Sequence, residues 1–134
     1  MKEQLYTIPV NDAFEKDCEC PLCFMYNNLE EDAVSFTLGP SYMEDDIRLE
    51  TDKAGFCMHH IKQLYKHQNR LGVALILHTH MKYTTDKLKS ATKSSSPSKK
   101  GLFSKKEQSG TGAYISSLEK SCYICSRIDN VFKR

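Results

Sequence analysis

Two short motifs constrain this chain more than anything else in it. Cys20-Pro21-Leu22-Cys23 sets two thiols three positions apart, and Cys57-Met58-His59-His60 sets a thiol and an imidazole at the same spacing. Such a pair, at the first turn of a helix, can aim two ligand atoms at one ion. Cys₃His is one of the ligand sets of structural zinc. Pro21 suits a first helical position, where its missing N–H costs nothing, so Cys20 falls at the N-cap and Cys23 at the third helical position. The helix dipole there favours the thiolates that zinc requires. The 33 residues between Cys23 and Cys57 suffice for a helix, a turn and a short return helix. The expectation is one structural Zn²⁺ held by Cys20, Cys23, Cys57 and His60, pinning two helix starts together.

The bland alternative is that these cysteines are small core hydrophobes. Compartment argues against it. Met1 to Tyr6 shows no apolar leader and no cleavage site, and the longest aliphatic run, Val73 to Leu77, is far too short for a membrane span. Both features point to the cytoplasm. Thiols stay reduced there, so six cysteines in CxxC-type spacing point to metal or redox chemistry rather than disulfides. Secondary candidates remain. Cys18 could replace Cys20 but would precede the helix. His59 could compete with His60, which is favoured because Cys57 and His60 share a helical face. Cys122-Tyr123-Ile124-Cys125 repeats the CxxC without a CxxH after it. It reads either as core cysteines or as half of a second site whose partners lie beyond residue 134. His67 stands about 10 Å along a helix from His60, too far to share an ion. It reads with His78 as a hydrogen-bonded interior or boundary residue. His78 and His80 point to nearly opposite faces.

The fold class expected is all-α, an antiparallel helical bundle with a long central helix. Leu5 to Val10 is β-leaning and reads as extended, with one helical turn over Asp12 to Lys16. Cys20 to Leu38 carries an apolar stripe of Leu22, Met25, Leu29, Ala33 and Phe36, and Gly39-Pro40 stops it. Ser41 and Glu44 fit a capping box for a short helix over Tyr42 to Thr51. The longest helix should run from Cys57 to Thr92 on a stripe of Ile61, Leu64, Leu71, Ala74, Leu75, Met81 and Leu88, with Gly72 as a bend point. Residues 1–92 thus form the helical zinc-site module. Residues 93–112, rich in Ser, Lys and Gly, read as a flexible linker. Residues 113–134 are helical again on Ile115, Leu118, Cys122, Cys125, Ile128 and Phe132, with Ser121 as a cap for a fresh helix. The pattern is still running at Arg134, which suggests the start of a truncated second half.

A closed four-ligand set leaves no position for water or substrate. The functional expectation is therefore a non-catalytic module acting through protein partners. A thiol–disulfide protein is the alternative, because a CxxC at a helix start can have a lowered thiol pKa. Yet Phe14 to Glu19 is not the buried strand that a thioredoxin-like motif follows. Nucleic-acid binding through the basic stretch Lys82 to Lys106 is the third reading. That stretch has no arginine and few aromatics, the net charge is only +2, and the region from Glu30 to Asp52 is acidic. A solvated linker explains it better, and nucleic acid is not expected as a partner. Oligomeric state is not set by any of these features.

The run Leu5 to Phe14, the segment Cys18-Glu19-Cys20-Pro21-Leu22-Cys23, Leu38-Gly39-Pro40-Ser41-Tyr42-Met43, Gly55-Phe56-Cys57 with His60, and Cys122-Tyr123-Ile124-Cys125 together resemble an uncharacterised bacterial family. It is common in anaerobic Firmicutes and catalogued only as a domain of unknown function. The resemblance covers nearly the whole chain outside the Lys/Ser-rich stretch. It implies a second GFCxxH-like segment after the second CxxC, making a pseudo-repeat, and this chain shows no such segment. It implies no activity.

Overall fold

The computed structural model describes residues 7–94 and 110–133. Along the chain it forms α1 (Ile8–Glu15), α2 (Pro21–Leu38), a 3-10 turn (Pro40–Met43), α3 (Asp45–Ala54), α4 (Met58–Lys66), α5 (Arg70–Ser94), α6 (Gly110–Glu119) and α7 (Tyr123–Phe132). Among the described residues there is no strand, and none of the helices is long and apolar enough to cross a membrane. The all-α class is as the periodicity indicates. Most of the linker stretch, residues 95–109, lies outside the described residues.

Several boundaries differ from expectation, each for a local reason. Residues 8–10 open α1 rather than lying extended. Pro9 is tolerated in the first turn, and the helix buries Ala13 completely. α2 begins at Pro21 behind Cys20, as the proline suggested, and the Cys20 sulfur accepts the Cys23 N–H at 3.2 Å. The capping box does not form. Ser41 turns its hydroxyl back to the Phe36 carbonyl, residues 40–43 make the 3-10 turn, and Glu44 becomes the N-cap of α3. Asp45 and Asp46 occupy the first turn of α3, where the dipole favours them.

The long helix is broken, three residues before Gly72. Asn69 makes the break. Its side-chain oxygen accepts the Gly72 N–H at 2.9 Å, which starts α5, and its amide donates to the Leu38 carbonyl at 2.7 Å. One side chain thus caps a new helix and satisfies the end of α2. The C-terminal stretch is broken too, at Lys120 to Cys122, and Cys122 rather than Ser121 is the N-cap of α7.

The core draws on Ala33, Val34 and Leu38 of α2, Leu64 of α4, Val73 and Ile76 of α5, and Cys122, Tyr123, Ile124 and Ile128 around α7. The stripe expected on α2 and α5 is therefore rotated: Leu22, Leu71 and Met81 are 68%, 64% and 67% exposed. α7 is embedded in the same core as the N-terminal helices. Ile124 is fully buried, a burial that stabilises by about 1.5–3 kcal/mol. Arg127 lies over the Phe36 ring at 3.8 Å and Phe132 stacks on Tyr26, so α7 is also fastened to α2 along its length.

The joint between α3 and α4 positions α7. Gly55 ends α3 at φ 61°, ψ −157°, a conformation essentially confined to glycine. Its carbonyl accepts the Tyr123 N–H at 2.9 Å, and the Ala54 carbonyl accepts the Ser121 hydroxyl at 2.7 Å. A Cβ on Gly55 would stand 2.6 Å from the His80 ring, which is itself held by the Asp52 carbonyl at 2.9 Å. Gly55→Ala combines backbone strain with a collision. It should lower stability by about 1–3 kcal/mol from the backbone conformation alone, measured by thermal unfolding against the wild-type chain.

Candidate metal centre

Two turns meet at this joint. Cys57 is the N-cap of α4, extended at φ −70°, ψ 163°, and His60 is the third residue of that helix. Cys122 is the N-cap of α7, extended at φ −157°, ψ 125°, and Cys125 is the third residue of α7. The Tyr123–Gly55 hydrogen bond lays the second turn against the first, and the Phe56 and Tyr123 rings pack edge to face beside them.

The four ligand atoms all lie within 4.8 Å of one another. The His60 Nδ1 stands 3.2 Å from the Cys57 Sγ, 3.3 Å from Cys122 and 3.4 Å from Cys125. A single ring nitrogen has one N–H or one lone pair, so it cannot hydrogen-bond well to three sulfurs. Near-equal spacing is what the edges of a coordination tetrahedron look like. With Zn–S near 2.3 Å and Zn–N near 2.0 Å, those edges would be about 3.6 Å. The donor set and spacing therefore fit a metal ion.

The far side of the imidazole is equally defined. His60 is 2% exposed, and its Nε2–H donates to the Glu30 Oε1 at 3.1 Å. That leaves the Nδ1 lone pair facing the sulfurs. Glu30 also accepts from His59 at 3.0 Å and from the Gln63 amide at 2.7 Å. A carboxylate behind a ligating histidine fixes its tautomer and orientation. Burial opposes the Glu30 charge, but the hydrogen bonds from Gln63 and His59 and the adjacent imidazoles hold its carboxyl below its usual range. Burial pushes the His60 imidazole down, only partly offset by Glu30, which favours the neutral ligating form.

The thiols are unequal. Burial opposes ionisation of Cys57, yet the His60 backbone N–H, the Cys122 and Cys125 thiols and the His59 N–H together bring it below its ordinary value. Burial, with Cys122 and Cys57 as neighbours, pushes the Cys125 thiol up to about 12. Three sulfurs this close cannot all carry charge unless a cation sits among them.

Cys57 and His60, singled out from the sequence, are thus brought together with Cys122 and Cys125, which ranked there only as secondary candidates. Cys20 and Cys23 are not in this group. α2 meets the centre through Glu30, and Cys23 lies seven residues earlier, about 10 Å back along the helix axis at ~1.5 Å per residue. Cys18 directs its thiol to the Ala13 carbonyl at 3.9 Å. His59 stands on the outer side, with Glu30 and Gln63. Glu30 carries no spacing mark in the sequence that would single it out from the other acidic residues of α2.

No curated protein and no solved structure matches the chain. A family model does match, over residues 1–134. The chain belongs to the family that model describes, the Family of unknown function (DUF6062).

Proposed function

We propose that the chain is a structural zinc module in which Cys57, His60, Cys122 and Cys125 bind one Zn²⁺, Glu30 positions His60, and the helices so fixed present a surface to a protein partner. The observation that carries this reading is the placement of one buried imidazole nitrogen at 3.2–3.4 Å from three thiol sulfurs. Zinc is preferred because thiolate–imidazole sets with tetrahedral spacing suit it. Four protein ligands close the coordination sphere, so the role is structural and not catalytic. The ion neutralises sulfurs that otherwise repel, and it ties the α3–α4 joint to the start of α7 from the two ends of the fold.

Metal analysis of the purified chain tests this. Cys122→Ser with Cys125→Ser should remove one equivalent of zinc per chain. A chelator should melt the wild-type helices, because metal binding and folding are linked. Full helicity and unchanged melting after zinc removal would overturn the reading. So would an air-oxidised chain that carries a Cys122–Cys125 disulfide and no metal; that result would favour thiol–disulfide chemistry.

Glu30→Ala should leave the four ligands in place yet weaken zinc binding about 10–100-fold, measured by competition with a chromophoric chelator. Glu30→Gln, which keeps an acceptor, should recover part of the loss.

Zinc uptake should also release protons. The Cys125 thiol, pushed up to about 12, is protonated in the metal-free chain at neutral pH, so the ion must displace that proton. Affinity should therefore rise with pH from 6 to 9, by about tenfold per pH unit for each proton released. Calorimetry in buffers of different ionisation heat counts the protons.

A further inference from the structure

The contacts behind His60 do not close as a hydrogen-bond network. His59 and His60 are consecutive on α4, and neighbouring side chains on a helix diverge by about 100°. Their rings nevertheless converge, with centroids 5.1 Å apart. Both Nε2 atoms reach the same oxygen of Glu30, at 3.0 Å and 3.1 Å. The His59 Nε2 also stands 3.1 Å from the Gln63 amide nitrogen. These two contacts ask opposite things of one atom. Facing the carboxylate, it must carry a hydrogen; facing the amide NH₂, it must offer a lone pair. Turning the Gln63 amide over does not help, because its oxygen would then stand 2.7 Å from the Glu30 Oε2.

A cation in front of these atoms removes the conflict. Both Nε2 atoms then offer lone pairs, Glu30 Oε1 offers a third, and the Gln63 amide still donates to Glu30 Oε2. The three ligand atoms lie within 4.8 Å of one another. An ion that binds nitrogen and oxygen at about 2.0–2.1 Å spaces tetrahedral ligands about 3.3 Å apart, close to the two distances to Glu30. The group shares no sulfur with the inner centre, and it differs in exposure. The His60 and Glu30 side chains are 2% and 12% exposed, but that of His59 is 65% exposed. Solvent reaches this side, so a fourth position is left for water. Two histidines and a glutamate with one open position is a ligand set of open zinc sites.

We infer that Glu30, His59 and His60 hold a second divalent cation outside the first, with the His60 ring as the bridge between the two ions. The His60 Nδ1 faces the three sulfurs and its Nε2 faces outward. The outer ion takes the place of the Nε2 hydrogen, which leaves to solvent as a proton, and the ring becomes an imidazolate held between two cations. Glu30 then changes role: with one ion bound it accepts the hydrogen bond of a ligand, and with two it is itself a ligand. Imidazole and carboxylate donors suit Zn²⁺, Co²⁺ or Ni²⁺, whereas the inner sulfurs favour Zn²⁺. The bridge rests on the zinc reading of the inner centre; the outer ligand set does not, since it contains no cysteine.

The test titrates the full chain, already loaded with one equivalent of Zn²⁺, with Co²⁺. One further ion should bind, with weak visible d–d bands and no thiolate-to-cobalt charge transfer in the near ultraviolet. His59→Ala, an exposed position, should keep its helicity and its zinc and take up no cobalt. Absence of cobalt uptake by the wild type would overturn the inference, as would uptake undiminished in His59→Ala. Charge transfer that grows as zinc is lost would put the cobalt among the sulfurs and overturn it too. With Zn²⁺ as the second ion, the ¹H–¹⁵N signal of the His60 Nε2–H should vanish; its persistence with two ions bound would overturn the bridge. Failure of the inner centre reads differently. Co²⁺ added to the metal-free wild type would then give d–d bands without charge transfer, and His59→Ala would give neither.

Discussion

The structure turns on the gathering of three sulfurs around one imidazole nitrogen. No pair among these groups is strongly attractive alone, and the thiolates repel one another. What brings them together is the surrounding backbone: the glycine that ends α3, the hydrogen bond from the Tyr123 N–H to its carbonyl, and the two helix starts facing each other across it. A cation held among the sulfurs would offset that repulsion. A chain of this size, with a modest core, gains from such a staple.

The centre is layered in a way that assigns each neighbour a task. Glu30 orders the His60 ring from behind, and Gln63 and His59 order Glu30. Phe56 and Tyr123, the chain neighbours of Cys57 and Cys122, pack ring edge to face. The same α7 that delivers two sulfurs buries Ile124 and Ile128 and stacks Arg127 and Phe132 on α2. The cysteine–histidine cluster and the core packing therefore draw on the same helix.

Much of this was legible in the sequence, and the reasons for the rest are physical. Pro21 behind Cys20, Gly39-Pro40 after Leu38, and the apolar periodicity mark helices that form as read. Cys57 and His60 were marked by their spacing. The partner of that pair was not, because spacing gives the shape of a half-site and says nothing about which other half it meets. Two CxxC motifs competed for one CxxH, and proximity along the chain favoured Cys20 and Cys23, whereas the packing of α7 brings Cys122 and Cys125 beside Cys57 and His60. The break at Asn69 was hidden because a capping asparagine inside a long apolar pattern looks like an ordinary polar residue. The helix over residues 8–15 was hidden because its burial of Ala13 against α2 is a tertiary effect, invisible to local β-propensity.

His60 is 62 and 65 residues from Cys122 and Cys125 in the chain. Joining them closes a ring that contains α5, α6 and residues 95–109. The entropy of closing such a ring grows only logarithmically: doubling its length costs about 0.6 kcal/mol. The segment between α5 and α6 can therefore be lengthened, shortened or rewritten at little thermodynamic cost, provided both helices still reach their places. Natural variants of this chain are free to differ there in length and composition while keeping the joint of the two helix starts unchanged.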